Sequence, residues 1–381
     1  MDFRLNEEQQ LLRDSVQRFV RDGYDFDRRN TIVASDAGTS RDTWARFADM
    51  GWLALPFADY DGGLDGGGIE TMVLMEAFGG ALVVEPYLAS VLLGGRTVAL
   101  AGSDAQKDAL LAPMIAGEHL LALAVHERAG RYDPTWVDTR AARAGGRWRL
   151  DGTKALVLHG DVADVIIVAA RTAGAPGDAD GLTLFAVPVG TSGITRQPVH
   201  TIDGMRACEL ALDHVEVDDA AVLGEQGGAL AVIERVHDEA VAAVCAEAVG
   251  AMDALLALTA DYLRQRRQFG QPLAAFQVLQ HRVADMSMAL EKARSLAIMA
   301  ALHVAHDEPA ERARAVSAAK VQAGRAGRFV GQHAVQLHGG IGISDELAAA
   351  HYFKRLTAIE YQLGSTDWHL RRFGALQAAR A

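Results

Sequence analysis

Two stretches in the second half of the sequence combine cations, amides and bare backbone in a way that suits nucleotide binding. The first stretch spans residues 262–273, and Gln277 opens the segment that follows it. Arg266, close to a predicted helix end, can neutralise a pyrophosphate, and the amides of Gln268 and Gln277 can hydrogen-bond ribose or adenine edges. These residues predict half of a nucleotide site. Three neighbouring arginines taken alone are also typical of a solvated basic patch.

The second stretch, residues 334–342, contains Gln336 followed by Gly339 and Gly340. Adjacent glycines leave the backbone open to the close approach of a ligand. The same sequence pattern is also typical of a glycine cap at the end of a helix. General motifs are missing: there is no GxGxxG after a strand, no phosphate-binding P-loop and no HExxH, and the 13 histidines show no ligand spacing. The sequence therefore predicts neither a classical dinucleotide fold nor a metal site.

The hydrophobic pattern divides the chain into three parts that must position these residues. Residues 1–119 carry helical periodicity, starting with a capping box formed by Asn6 and Gln9. Residues 120–225 carry short, partly alternating strand patterns separated by glycine, proline and aspartate, which predict a small β domain. Residues 226–381 return to helical periodicity in four segments, 229–266, 275–305, 310–338 and 346–376, which favour a four-helix bundle. The predicted fold class is mainly α with an inserted β domain.

Composition limits the classes of function. The chain has 381 residues, of which 50% are hydrophobic, and a net charge of -12, which argues against disorder and against nucleic acid as a partner. Glu247, Asp253 and Asp261 interrupt the apolar stretch 240–263, so it predicts a buried core helix and no membrane span. An acidic N-terminus and only two cysteines, with no CxxC pair, predict a reduced, cytoplasmic protein.

Taken together, these stretches resemble the acyl-CoA dehydrogenase family, and the resemblance covers the whole chain. It includes the segment 51–56, which reads GWLALP, the loop at Gly62 and Gly63, and the order of helical, β and helical parts. Within the family, the segments 158–161, 244–252 and 351–357 are similar to the small subunits of bacterial pimeloyl-CoA dehydrogenases.

The resemblance implies an FAD enzyme that converts an acyl-CoA thioester into a trans-2-enoyl-CoA. A carboxylate removes the α-proton, the flavin accepts hydride, and the electrons pass to an electron-transfer flavoprotein. It further implies that FAD lies at a subunit interface, where one chain supplies the adenine and pyrophosphate side. The residues of this chain that match that side are Arg266, Gln268, Phe269, Gln277, Gln336, Gly339 and Gly340.

The flavin side departs from the family pattern. Where the family reads Thr-Glu-Pro-x-Ala-Gly-Ser-Asp, residues 126–133 keep Glu127 and Asp133 but lose the Thr, Pro and Ser. Residues 156–158 read Leu-Val-Leu in place of Trp-Ile-Thr, so hydroxyl contacts to the flavin are missing. His126 and His338 lie in the two flavin-associated motifs, where each is either a contact to FAD or substrate or a packing residue.

The catalytic base is also displaced. Leu363 and Ala240 occupy the two positions where the family places its glutamate, and neither accepts a proton. We predict Glu239, next to Ala240, as the base. One residue along a helix is a rotation of about 100°, so this assignment requires a local bulge. Asp238, Glu247 and Glu360 are weaker candidates for the base. The alternative is that they are ordinary solvated or interface carboxylates.

Two functional hypotheses remain open at this point. In the first, the chain is an active dehydrogenase, a homo-oligomer (a dimer or tetramer), acting on an acyl-CoA or a dicarboxylyl-CoA such as pimeloyl-CoA. In the second, the chain is a non-catalytic small subunit that completes the FAD site of a larger homologous partner in a heterotetramer. Intact adenine-side residues beside a degraded flavin side favour the second hypothesis, and Glu239 keeps the first.

Overall fold

The computed structural model describes residues 5–380, which form two compact units. One unit consists of the residues up to 31, residues 67–83 and the residues from 241 onward. The other consists of residues 32–66 and 84–240. Neither unit is continuous in the sequence, because the N-terminal helices are divided between them.

The first unit is helical. Its first helix, α1 (Glu7–Gly23), begins with the predicted capping box between Asn6 and Gln9 and buries Val16 and Phe19. The other helices that lie wholly or mostly in this unit are α2 (Phe26–Val33), α4 (Gly68–Ala81), α8 (Leu230–Gln265), α9 (Gln277–His303), α10 (Pro309–His338), α11 (Ala348–Tyr361) and α12 (Thr366–Ala378).

Glycines let α4 and α8 cross at backbone contact within this unit. A Cβ atom on Gly250 would lie 1.8 Å from the carbonyl oxygen of Glu76, and one on Gly79 would lie 2.0 Å from that of Glu247. No larger residue fits at these two positions without moving a helix backbone. The close crossing fixes the direction of α8, which carries several of the candidate site residues.

The second unit combines short helices with a sheet. Its helices are α3 (Arg41–Asp49), α5 (Arg96–Ala101), α6 (Asp104–Gln106) and α7 (Ala112–Ile115), together with π-helical turns at Tyr87–Gly95 and Lys107–Leu111. Its strands are β1 (Leu121–Ala124), β2 (Arg140–Ala144), β3 (Arg147–Leu158), β4 (Val165–Arg171), β5 (Leu182–Pro188), β6 (Ile194–His200), β7 (Arg206–Val217) and β8 (Val222–Leu223).

These eight strands form one mixed sheet in the order β6-β7-β3-β2-β4-β5-β8, with β1 pairing in parallel with β4. The central strand β4 is buried along its whole length, and Trp148, Leu150, Phe185 and Leu210 pack into the core of the sheet. The pairing of β3 with β7 contains register shifts between Leu150 and Gly152 and between Lys154 and Val157. The second irregularity exposes Leu156.

The mainly α fold with an inserted β domain and a helical C-terminal part is confirmed, with one correction to the predicted segments. The last segment, 346–376, is two helices in the described residues, α11 and α12. Leu363 and Gly364 break the segment with φ values of 56° and 109°, and Ser365 then caps the N-terminus of α12. Gly364 and Ser365 are the local signal for this break.

The apolar helix α8 is the one helix among the described residues that is long and apolar enough to cross a membrane. Its most apolar window has a mean hydropathy of 1.9, and 72% of that window is buried inside the protein. The predicted core helix is therefore confirmed. Cys208 and Cys245 are both free and buried.

Candidate active site

The first predicted stretch forms a tight hairpin between α8 and α9. After α8 ends at Gln265, the short strands β9 (Arg267–Gln268) and β10 (Gln271–Pro272) pair in antiparallel fashion. The turn needs two residues with positive φ, Phe269 at 53° and Gly270 at 79°. As a result the Phe269 ring is 88% exposed, although it makes an edge contact with Phe276. A large apolar ring held outward at a strained backbone position suits a surface that a ligand or partner covers.

Tyr262 connects this hairpin to the second predicted stretch. Its hydroxyl donates a hydrogen bond to the carbonyl of His338 at 3.2 Å, and the two rings lie 4.6 Å apart. His338 immediately precedes Gly339, which ends α10 with a φ of 67°. The structure thus brings the helix end that carries Arg266 together with the glycine pair, which the sequence separates by about seventy residues.

The residues predicted to bind the cofactor are open to solvent at this surface. A Cβ atom on Gly339 or Gly340 would meet nothing within 4 Å, and Arg266 forms no ion pair with the described residues. The Nε2 atom of His338 is buried and has no hydrogen-bond partner among residues 5–380. The side chains of Arg266, Gln268, Gln277 and Gln336 are all exposed. An unpaired cation beside open backbone fits the pyrophosphate and ribose of a dinucleotide.

The two flavin-side segments also lie together, within the second unit. The amide of Ala155 donates to the carbonyl of His126 at 2.9 Å, which joins residues 126–133 to the irregular part of β3. Leu156 occupies that irregularity with a φ of 50° and is 52% exposed, while Val157 is buried. The Nδ1 atom of His126 is buried and makes no hydrogen bond to the described residues.

Glu127, one of the two acidic residues retained in this segment, is bound within the chain itself. Glu127 accepts hydrogen bonds from the Asp138 amide at 2.7 Å, from the amide and hydroxyl of Thr139, and from Lys154 Nζ at 2.8 Å. Burial raises the pKa of Glu127, but Lys154 and Thr139 outweigh it and hold that pKa below its usual value. Burial lowers the pKa of Lys154 to about 8, although Glu127 opposes the change.

The predicted base, Glu239, lies in a cluster of two arginines. Arg96 donates to both carboxylate oxygens, at 2.8 and 3.1 Å, and Arg235 donates to Oε1 at 2.8 Å. The Glu239 side chain is 12% exposed. Burial raises its pKa, but the two arginines outweigh burial and lower it. Both oxygens accept hydrogen bonds from cations, which favours the ionised form and makes Glu239 a weaker base. Its assignment as the base stays a prediction.

The weaker candidates are also buried or paired. Arg355 holds Glu247 through two hydrogen bonds of 2.6 and 2.7 Å, and both side chains are 6% exposed. Glu360 pairs with Arg328, whose Nε lies 3.0 Å from Oε2. Asp238 is 1% exposed. The carboxylates of Glu247 and Glu360 are therefore already bound to cations in this structure.

The turn that carries Leu363 is held from beneath by a buried lysine. Lys320 Nζ donates to the carbonyls of Gly364 at 2.6 Å and Glu360 at 3.2 Å, and its side chain has no exposure to solvent. Burial lowers the pKa of Lys320 to about 8, opposed by Cys245 and Glu360. His369 Nε2 lies 2.9 Å from the carbonyl of Leu363. These hydrogen bonds hold the turn in place, but the residue that it presents, Leu363, cannot accept a proton.

Family models match almost all of the chain. The N-terminal, middle and C-terminal domain models of acyl-CoA dehydrogenase match residues 6–118, 122–219 and 226–375. The chain belongs to the acyl-CoA dehydrogenase family. Members of this family bind FAD and are oxidoreductases that act on CH–CH bonds.

Individual acyl-CoA dehydrogenases resemble the chain over most of its length. The short-chain specific acyl-CoA dehydrogenase of Megasphaera elsdenii is 32% identical over 276 residues, which are 71% of this chain and 70% of that protein. Acyl-CoA dehydrogenase FadE27 of Mycobacterium tuberculosis is 28% identical over 98% of both chains. A chain in the crystal structure of the ChsE4-ChsE5 complex of the same organism is 28% identical over 99% of both chains, with a TM-score of 0.89.

The most important residues that could not be identified from the sequence of this acyl-CoA dehydrogenase are the arginines that pair with the candidate base, Glu239. Arg235 lies four residues before Glu239, a helical spacing that predicts an ion pair and was the one available signal. Arg96, 143 residues away from Glu239, gave no such signal. The sequence also did not show that Lys320 holds the Leu363 turn. Nor did it show that Tyr262 connects the two stretches predicted to bind the cofactor.

One exposed group of side chains has metal-ligand geometry within the described part of this acyl-CoA dehydrogenase. Asp151, Asp213 and His214 place ligand atoms within 4.8 Å of one another, and His214 Nδ1 already lies 2.5 Å from Asp151 Oδ1. Exposed groups of this kind are common in proteins that bind no metal there. That the chain binds no metal stays a prediction.

Proposed function

We propose that this chain is a subunit of an oligomeric, FAD-dependent enzyme that converts an acyl-CoA thioester into a trans-2-enoyl-CoA. The observation that carries the proposal is the open surface at the α8–α9 hairpin. There Tyr262 joins the helix end of Arg266 to Gly339 and Gly340, with an unpaired cation beside accessible backbone. The FAD-binding residues we propose are Arg266, Gln268, Phe269, Gln277, Gln336, Gly339 and Gly340.

Each of these residues has a defined role in the proposal. The guanidinium of Arg266 binds the pyrophosphate, and the amides of Gln268, Gln277 and Gln336 hydrogen-bond the ribose and adenine edges. The ring of Phe269 packs against an apolar face of the cofactor. The glycine pair has no side chains, so the cofactor can lie directly against the main chain. FAD, when bound, supplies the hydride acceptor.

Glu239 is the base that we propose if proton abstraction takes place within this chain. A base must come within about 3 Å of the α-proton or act through a water molecule. Here the carboxylate must first leave Arg96 or Arg235, which hold both of its oxygens. In this arrangement, binding of the substrate opens the cluster.

The same ion pairs favour a second arrangement, in which a homologous partner carries the base. Leu363 and Ala240 cannot accept a proton, and arginines hold Glu239, Glu247 and Glu360. The similarity to a chain of the ChsE4-ChsE5 complex supports an assembly of two different subunits. In this arrangement the chain supplies its cofactor surface to a heterotetramer, and the dehydrogenase activity belongs to the assembly.

We extend the proposal to the substrate, the electron acceptor and the location. The substrate is an acyl-CoA, and the sequence similarity makes dicarboxylyl-CoA esters such as pimeloyl-CoA the first to test. A free distal carboxylate needs a cation beside it. The electron acceptor is an electron-transfer flavoprotein. Two buried, unpaired cysteines agree with a cytoplasmic location.

The test is the visible absorbance of the purified chain, followed by anaerobic addition of a series of acyl-CoA esters. About one FAD per chain that bleaches with a thioester would establish a self-sufficient enzyme. A chain that acquires flavin only with a homologous partner would establish the composite arrangement. A chain that binds no FAD in either state would contradict the proposal.

Glu239→Gln then locates the base. If Glu239 is the base, this variant keeps its FAD and loses flavin reduction by acyl-CoA, while the control Glu234→Gln, an exposed acid on the same helix, behaves as wild type. Normal bleaching in Glu239→Gln would place the base elsewhere. Circular dichroism and the FAD ratio check that the variant is folded.

A further inference from the structure

Four helices of the helical unit, α1, α4, α8 and α9, enclose a cleft of about 520 Å³. Every residue that lines it belongs to that one unit. Its volume lies within the range of about 300–1,000 Å³ that is typical of sites for small molecules. The lining residues, taken from the described part of the chain, include neither Glu239 nor any residue proposed to bind FAD. The cleft is therefore separate from the candidate active site.

The close crossing of α4 and α8 keeps this cleft open. Gly80 and Gly250 both line it and have no side chains to fill it. The nearest contact of a Cβ atom on Gly80 beyond its own helix would be the carbonyl oxygen of Gly250, at 3.7 Å, whereas one on Gly250 would lie 1.8 Å from the carbonyl oxygen of Glu76. Because the two backbones already touch, the helices cannot move closer together to close the cleft.

Apolar side chains from all four helices cover the walls of the cleft. They are Val20, Met72, Val73, Ala77, Ala254 and Ile298. A hydrocarbon chain that entered the cleft would displace water from these side chains, and the hydrophobic effect favours that exchange.

On the side formed by α4, α8 and α9, the cleft has more acids than cations. Arg294 of α9 pairs with Glu76 of α4 and, at 3.3 Å, with Asp253 of α8. Burial raises the pKa of Glu76 and outweighs the opposing charges of Arg294 and Arg13. Two carboxylates thus share one guanidinium, which disfavours an anion on this side.

The side formed by α1 has the opposite balance. Arg13, Gln17 and Arg21 follow one another at intervals of four residues and line the cleft from one face of this helix. Arg13 forms no ion pair or hydrogen bond with residues 5–380. Arg21 pairs with its neighbour Asp22, but both side chains are more than half exposed, so that pair is weak. An anion on the α1 side would therefore meet an unpaired cation.

We propose that the cleft binds a medium-chain carboxylic acid, with its carboxylate on Arg13 and its hydrocarbon chain along the apolar walls. A guanidinium binds a carboxylate through two parallel hydrogen bonds, and the amide of Gln17 can donate another. Glu76 and Asp253 repel the carboxylate and so fix the direction in which the acid lies. The inference does not depend on the proposed function, because the cleft shares no residue with the proposed FAD surface.

Titration calorimetry of the full-length chain with octanoate tests the proposal. We expect saturable binding at about one octanoate per chain. 1-Octanol and octylammonium have the same hydrocarbon chain without the carboxylate, and we expect both to bind at least about tenfold more weakly.

Arg13→Gln tests the contact to the carboxylate. It should weaken octanoate binding by about tenfold or more, the effect of a charged hydrogen bond, and leave the affinity for 1-octanol unchanged. Arg13 is exposed, so the substitution leaves the core intact. The control, Arg18→Gln, removes an exposed cation of the same helix that does not line the cleft, and it should bind octanoate as the wild type does.

Ala257→Trp tests the location of the hydrocarbon chain. Ala257 lines the cleft at an exposed position, so an indole there would fill the space and abolish the binding of octanoate and 1-octanol alike. The control is Ala375→Trp, at an exposed position of α12 outside the cleft, and it should keep both affinities.

Four results would overturn the proposal. The first is a wild-type chain that binds no octanoate, and the second is equal affinity for octanoate and 1-octanol. The third is an octanoate affinity that stays unchanged in both Arg13→Gln and Ala257→Trp, which would place the acid elsewhere. The fourth is a changed oligomeric state of Ala257→Trp in light scattering, which would show that a second copy of the chain covers the cleft.

Discussion

The cations of this protein are used differently in its two candidate regions. At the α8–α9 hairpin, Arg266 is exposed and pairs with no carboxylate of the described chain. Around Glu239, by contrast, Arg96 and Arg235 are mostly buried and converge on one carboxylate. Water solvates an exposed charge, but a buried charge needs a partner, since desolvation costs more than the fold can supply. The open polar groups are therefore available to the proposed FAD, whereas the groups in closed ion pairs already have their partners within the chain.

Breaking the deeply buried ion pair between Glu247 and Arg355 should have the largest effect. Glu247→Ala leaves Arg355 buried without its carboxylate, so we expect the free energy of unfolding to fall by about 3–5 kcal/mol in urea denaturation. Glu291→Ala, at a 63% exposed position, serves as the control and should change it by less than about 0.5 kcal/mol. A small loss in Glu247→Ala would mean that the closed pairs are not structural.

Lys320 tests what happens when a buried cation has only carbonyl partners. Its pKa, about 8 in the folded chain, lies below its ordinary value of 10.5, so the unfolded chain holds more protons between those values. Raising the pH through this range should therefore stabilise the wild type relative to Lys320→Met, by up to about 3 kcal/mol.

The measurement for Lys320 is urea denaturation at a series of pH values from 7 to 10.5. Lys292→Met, at an exposed position on α9, is the control and should follow the wild type. A constant difference between wild type and Lys320→Met across the series would show that Lys320 titrates normally in the folded protein.

Arg266 tests the open region. We expect Arg266→Ala to weaken FAD binding by about ten- to a hundredfold, because it removes a charged contact to the pyrophosphate, and to leave stability within about 0.5 kcal/mol. Arg264→Ala is the matched control, since Arg264 ends the same helix but pairs with Asp261 at 2.6 Å. Equal affinities in the two variants would support the solvated basic patch instead.

The glycine pair gives the smallest expected effect. Gly340→Ala adds a methyl group that meets nothing within 4 Å in the chain, so thermal stability should stay unchanged. FAD affinity should fall several-fold, because the methyl group occupies space that the cofactor needs. Gly190→Ala, equally open, is the control for both measurements. Full FAD affinity in Gly340→Ala would place the cofactor away from this backbone.

Most of the helical architecture could be predicted from the sequence, because hydrophobic periodicity and capping residues act locally. The helices α8, α9 and α10 begin and end within two residues of their predicted limits. For residues 120–225 the sequence predicts a β domain but not the limits of its strands, since short strands owe their stability to their neighbours in the sheet. The break at Leu363 was missed although Gly364 marked it.

The sequence by itself determined the residue types at the cofactor surface and the loss of the usual glutamates at Leu363 and Ala240. Only the tertiary structure decided which charges meet, because an ion pair such as that of Arg96 and Glu239 joins residues 143 positions apart. It likewise decided that Tyr262 joins the two stretches proposed to bind the cofactor, and that Nδ1 of His126 has no hydrogen-bond partner among residues 5–380. Local patterns specify elements, whereas contacts between distant residues arise when the elements pack.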